Sequence, residues 1–133
     1  MTLPELLAAA RIARGHARCG YSGFAVGAAL LAEDGRVFTG CNIENATYGL
    51  TVCAERVALW KALSEGAERF THIVVVADTD QPTPPCGACR QLLWEFGGNF
   101  EIILGDLRKQ TAVFRMQDLL PHPFDNRFLN DQG

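Results

Sequence analysis

Apolar positions recur at two spacings along the chain, and the alternation between them predicts its elements. Over residues 4–17, Leu6, Leu7, Ala10 and the pair Ile12 and Ala13 fall at helical spacing, and Pro4 suits a first turn. Gly20 and Gly23 mark 19–24 as a loop. Residues 26–32 and 36–41 flank Asp34-Gly35, a strong hairpin signal, so these strands are predicted to be antiparallel neighbours. The polar stretch 42–51 reads as a loop, and 52–65 as a helix stopped by Gly66. Val57, Leu59, Trp60 and Leu63 are spread around that helix. A helix apolar on most sides is covered on most sides, which in a small domain predicts a subunit interface.

Residues 73–77, Ile-Val-Val-Val-Ala, form a continuous β-branched run, the pattern of a central strand buried on both faces. A proline-rich turn over 78–85 leads into a helix over 86–96, closed by Gly97-Gly98. Strands follow at 100–104 and 111–114, then a turn of helix at 116–120 and a polar tail from Asn126. The order α-β-β-α-β-α-β-β predicts an α/β fold, a three-layer α/β/α sandwich with a mixed five-stranded sheet. No repeat or linker divides residues 1–133, so a single domain is expected.

Charge narrows the partners. The net charge is −3 with a pI near 5.5, and the ten arginines and two lysines form no block. This is not the basic footprint of a nucleic-acid binder. No run approaches the ~18 apolar residues of a membrane span. The run Leu6 to Ala10 follows Glu5 and is broken by Arg11, unlike a secretory signal. Five cysteines, an odd number, fit a reducing cytoplasm.

Three of those cysteines carry the chemistry. Cys86-Gly-Ala-Cys89 is a Cys-x-x-Cys pair at a predicted helix start, and Cys53 opens the other helix in Cys53-Ala54-Glu55-Arg56. Residues three apart on a first turn face the same way, so Cys86 and Cys89 can share one metal, with Cys53 as a distant third ligand. Three thiolates suit tetrahedral zinc and leave a position for water, whose pKa zinc lowers to ~7. Glu55, two residues from Cys53, is off that ligand face and free to handle the water's proton. Arg56 or Arg90 can offset the excess negative charge of three thiolates. A structural zinc with four thiolates, Cys19 or Cys41 being the fourth, is the alternative reading.

Cys-Ala-Glu followed by Pro-Cys-x-x-Cys resembles the signature of the zinc-dependent cytidine deaminases, with cysteine at Cys53 where the wider superfamily opens with histidine. An all-cysteine ligand set is similar to the small free-nucleoside enzymes. The resemblance implies one zinc per subunit on Cys53, Cys86 and Cys89, Glu55 as the catalytic acid/base, and cytidine or deoxycytidine as substrate in pyrimidine salvage. Asn42-Ile-Glu44 matches the family segment that holds the ribose 3′-hydroxyl, as amide and carboxylate, donor and acceptor. Tyr21-Ser-Gly-Phe24 matches a segment in which the phenylalanine lines the nucleoside pocket, here with Gly20 where proline is frequent. The Ala54 N–H is implied to meet the pyrimidine O2, and Phe124 to stack on the base from a neighbouring subunit. Tyr48 is expected at a subunit boundary, Gln91 in support of the pocket, and Arg56 on a thiolate. The family implies a homotetramer with shared active sites. The similar blasticidin S deaminases, which act on a cytosine-containing antibiotic, are a second enzyme reading, and a structural zinc interaction module is a third.

Overall fold

The computed structural model describes residues 1–108 and 111–130; the last three positions of the polar tail lie outside them. Helix α1 (Leu3–Arg14) starts where the Thr2 hydroxyl accepts the Glu5 N–H, with Pro4 in the first turn. It ends with Arg11 and Arg14 in the last turn, complementing the helix dipole. Strands β1 (Val26–Ala32) and β2 (Val37–Cys41) form the expected hairpin, Leu31 facing Val37 and Gly27 facing Cys41. Helix α2 (Ala54–Ser64), β3 (Phe70–Ala77), α3 (Gly87–Gly97), β4 (Glu101–Gly105) and β5 (Thr111–Arg115) follow, then short helices α4 (Met116–Leu119) and α5 (Arg127–Asn130).

The five strands make one mixed sheet in the order β2-β1-β3-β4-β5. Only β3 and β4 are parallel, joined by the α3 crossover; the other pairs are antiparallel. The period of two in the inner strands divides their side chains between two cores. Ala28, Leu30, Ile73, Val75, Ile102 and Leu104 pack beneath α2 and α3, while Ala29, Val74, Val76 and Ile103 meet Leu6, Leu7 and Ala10 of α1. Helices therefore cover both faces, and the α/β/α architecture read from the element order is the one observed. Ile73 and Leu30 are fully buried, and such burial stabilises by roughly 2–3 kcal/mol per side chain.

Two glycines set how closely the helices approach the sheet. A Cβ on Gly27 would stand 2.0 Å from the Ala10 carbonyl oxygen, and one on Gly40 would stand 2.4 Å from that of Ala54. At these two positions no side chain fits between β1 and α1 or between β2 and the start of α2. Ile12 departs from expectation, since it is exposed and does not join the core. At about 100° per residue it lies roughly 150° around α1 from the stripe of Leu6, Leu7, Ala10 and Ala13.

Candidate active site

The two cysteine segments meet at helix starts. Cys53 and Cys86 are the N-cap residues of α2 and α3, in extended backbone conformation, and Cys89 lies in the first turn of α3. Both helices were expected to begin earlier, at 52 and 86. Val52 instead pairs with Ile43 through two backbone hydrogen bonds of 3.0 Å, and Ile43 also bridges to Arg18. That clamp fixes the 42–44 segment beside Cys53, although eight residues separate them in sequence. On the other side, Arg90 does not reach a thiolate. Its guanidinium donates to the Pro85 carbonyl at 2.8 Å and the Leu119 carbonyl at 2.9 Å, bracing the backbone that presents Cys86.

Among the described residues, the Sγ atoms of Cys53, Cys86 and Cys89 lie within 4.8 Å of one another, and those of Cys53 and Cys86 are 3.9 Å apart. Zinc–thiolate bonds of about 2.3 Å at tetrahedral angles place sulfurs about 3.8 Å apart, so the cluster fits a zinc ion with little movement. Cys19 and Cys41 are free cysteines outside this cluster, which leaves the four-thiolate reading without its fourth sulfur. Arg56 Nη2 stands 3.5 Å from Cys53 Sγ, as anticipated.

These contacts set the local protonation. The Cys53 thiol is held down to about 5 by its hydrogen bond with Cys89, opposed by burial and reinforced by Arg56. Cys89 is pushed up by that same hydrogen bond and by burial. The cluster thus carries its first negative charge on Cys53, and a divalent cation would displace the remaining thiol protons. The buried Glu55 carboxyl is pushed up to about 7, chiefly by burial and further by the charge on Cys53. A carboxyl in that range can both accept and return a proton at neutral pH.

The cluster borders a cleft of about 340 Å³ whose walls include Phe24, Asn42, Glu44, Cys53, Ala54, Glu55 and Cys86. Seven of the sequence-selected positions therefore come together. Val75, Thr83 and Pro84 also line the cleft; the last two had been read only as part of a turn, and their nearness in sequence to Cys86 was the available signal. Asn42 does not offer the expected donor. Its Nδ2 already donates to the Phe24 carbonyl at 2.7 Å and to Glu44 Oε2 at 3.5 Å, and its Oδ1 accepts the Val26 N–H at 2.8 Å. The amide closes the loop entering β1, so it faces a ligand mainly as an acceptor.

Three positions lie away from this chain's cleft. Phe124 is exposed and stacks on Phe128, with ring centroids 5.7 Å apart. Gln91 does not line the pocket; its Nε2 donates to the Phe124 carbonyl at 2.7 Å, and Trp94 Nε1 donates to Asp125. Both side chains anchor the C-terminal segment on α3. Tyr48 is 75% exposed and meets Tyr21 edge to face.

An α/β/α sandwich that brings three cysteines and a buried carboxyl to two helix N-termini fits a zinc centre built for hydrolytic chemistry. The sequence matches the cytidine and deoxycytidylate deaminase zinc-binding region over residues 3–105, and the chain belongs to that family. It is 46% identical to a cytidine deaminase of Sporosarcina psychrophila over 131 residues, 98% of this chain and 96% of that one. Identity reaches 52% over 112 residues with a cytidine deaminase of Halalkalibacterium halodurans, covering 84% and 85% of the two chains. The crystal structure of a cytidine deaminase from Burkholderia pseudomallei superposes with a TM-score of 0.91 at 48% identity, over 93% of this chain and all of that one.

Proposed function

We propose that this protein hydrolyses cytidine and deoxycytidine to uridine and deoxyuridine, releasing ammonia, with one zinc per chain held by Cys53, Cys86 and Cys89. The observation that carries the reading is the buried Glu55 beside a three-thiolate cluster in a nucleoside-sized cleft. Zinc, when bound, makes water a nucleophile at neutral pH. Glu55 takes the two protons of this water in turn, delivering the first to the pyrimidine N3 and the second, given up by the oxygen once it is on C4, to the departing amine, a role its burial supports. Replacement of the amine by oxygen at C4 then balances one water consumed against one ammonia released. The Ala54 N–H, first in its helix and without an intrahelical carbonyl, donates to the pyrimidine O2. Phe24 packs against the nucleoside, Asn42 and Glu44 accept hydrogen bonds from its sugar, and Arg56 balances the charge of the thiolates.

The site is completed by a second copy, which supplies Phe124, in a homotetramer. Exposure of Phe124, Tyr48 and Trp60 supports shared surfaces, as does the absence of Phe124 from the walls of its own cleft. Among the described residues, no helix is long and apolar enough to cross a membrane. Five free cysteines fit a cytoplasmic enzyme. The sugar contacts favour an ordinary nucleoside over an antibiotic. Ultraviolet absorbance of cytidine with the zinc-loaded protein tests the reading. Conversion to uridine, lost by several orders of magnitude in Glu55→Ala with zinc retained, is expected; undiminished turnover in that variant would overturn the role of Glu55.

A further inference from the structure

Glu44 is held by more donors than a carboxylate at a ligand cleft needs for solubility. Its Oε1 accepts the backbone N–H groups of Tyr21 at 3.1 Å and Ser22 at 3.0 Å. Its Oε2 accepts the Ser22 hydroxyl at 2.5 Å and lies 3.5 Å from Asn42 Nδ2. The Ser22 oxygen in turn accepts the Phe24 N–H at 3.0 Å. One hydroxyl thus ties the carboxylate that faces the sugar to the backbone of the phenylalanine that lines the same cleft.

The tie matters because Glu44 stands between two hollows. With Ser22 and Thr51 it borders both the main cleft and a second hollow of about 310 Å³, whose other walls are Tyr21 and Tyr48. Asn42 borders the main cleft and does not line the second hollow. Ser22 borders both hollows, so it is the approach of Asn42 Nδ2 to Oε2 that puts this oxygen on the main-cleft side of the carboxylate. The two backbone donors grip only Oε1, about which the carboxylate can pivot if the hydroxyl is removed.

We propose that Ser22 is a positioning residue for sugar selectivity, holding Glu44 Oε2 on the cleft side where it accepts a hydrogen bond from a nucleoside hydroxyl. This rests on the reading that Glu44 meets the sugar. Because the hydroxyl acts through Glu44, its loss affects substrates that carry the sugar hydroxyls and spares those that lack them. Ser22 is exposed, in a loop whose backbone bonds to Glu44 survive substitution, so the variants fold.

The test compares steady-state kinetics of the zinc-loaded wild type, Ser22→Ala and Ser22→Thr on cytidine and on 2′,3′-dideoxycytidine. Ser22→Ala is expected to lower kcat/KM for cytidine about tenfold through KM, with kcat within about twofold, as for one lost hydrogen bond to a charged group. Its kcat/KM for dideoxycytidine stays within about twofold of wild type, and Ser22→Thr restores cytidine use. Equal losses on both substrates, an alanine variant equal to wild type on cytidine, or no rescue by threonine would overturn the role of Ser22 alone. No cytidine turnover by the wild type would overturn the functional reading and this proposal together.

Discussion

Gly40→Ala is the sharpest probe of how the fold positions the site. The added Cβ would lie 2.4 Å from the Ala54 carbonyl oxygen, 2.6 Å from the Ala58 nitrogen and 3.0 Å from Val57 Cβ. The first two are helix backbone and cannot rotate away. Restoring an ordinary 3.4 Å contact requires the start of α2 to retreat by about 1 Å. That segment carries Cys53, Ala54 and Glu55. Overpacking of this kind costs about 1–3 kcal/mol of stability, and a 1 Å displacement of catalytic groups costs on the order of 100-fold in rate. Gly27→Ala is the matched control, because its Cβ would strike the Ala10 carbonyl oxygen of α1 on the opposite face. Thermal unfolding and kcat of the two zinc-loaded variants should separate the effects. Both lose stability, but only Gly40→Ala loses most of its kcat at a temperature where both remain folded. Equal kcat in the two variants would refute the argument that the Gly40 contact sets the catalytic geometry.

Cys89→Ser should abolish stoichiometric zinc binding, measured by metal analysis after gel filtration, whereas Cys19→Ser and Cys41→Ser each retain one zinc per chain. Arg56→Gln should shift the acid-induced release of zinc to higher pH. The guanidinium helps hold the Cys53 thiol down, so without it the thiol reprotonates, and protons displace the metal, earlier as pH falls; a zinc indicator titration reads the midpoint, and an unchanged midpoint would show that Arg56 does not tune the thiolate. If Phe124 is supplied by a partner, mixing inactive Glu55→Ala subunits with weakened Phe124→Ala subunits should recover activity after joint refolding. Recovery is read as turnover above the sum of the separate samples, and none is expected if each chain uses its own Phe124.

Several features were determined by the sequence alone because they depend on neighbours along the chain. The Cys-x-x-Cys spacing places Cys86 and Cys89 at the start of one helix, and Asp34-Gly35 marks the hairpin. The hairpin's register, however, with Leu31 opposite Val37 and Ala32 bonded to Arg36, is that of a three-residue loop over Glu33, Asp34 and Gly35 and not of a two-residue turn. The β-branched run around Val74 announces a strand buried on both faces, because a period of two with no polar member leaves no side for water. Other features belong to the tertiary structure, since they depend on how close two distant elements come. Nothing local says that Ile43 would pair with Val52 and draw Asn42 and Glu44 to Cys53, or that Arg90 would spend its donors on two carbonyls. Gly27 and Gly40 look like ordinary strand residues until the helices are laid against them. The attachment of Phe124 to Gln91 is likewise set by where α3 sits. The candidate site residues could be named from spacing and the family signature, whereas their mutual distances and remaining hydrogen-bonding capacity were decided only when the helices packed on the sheet.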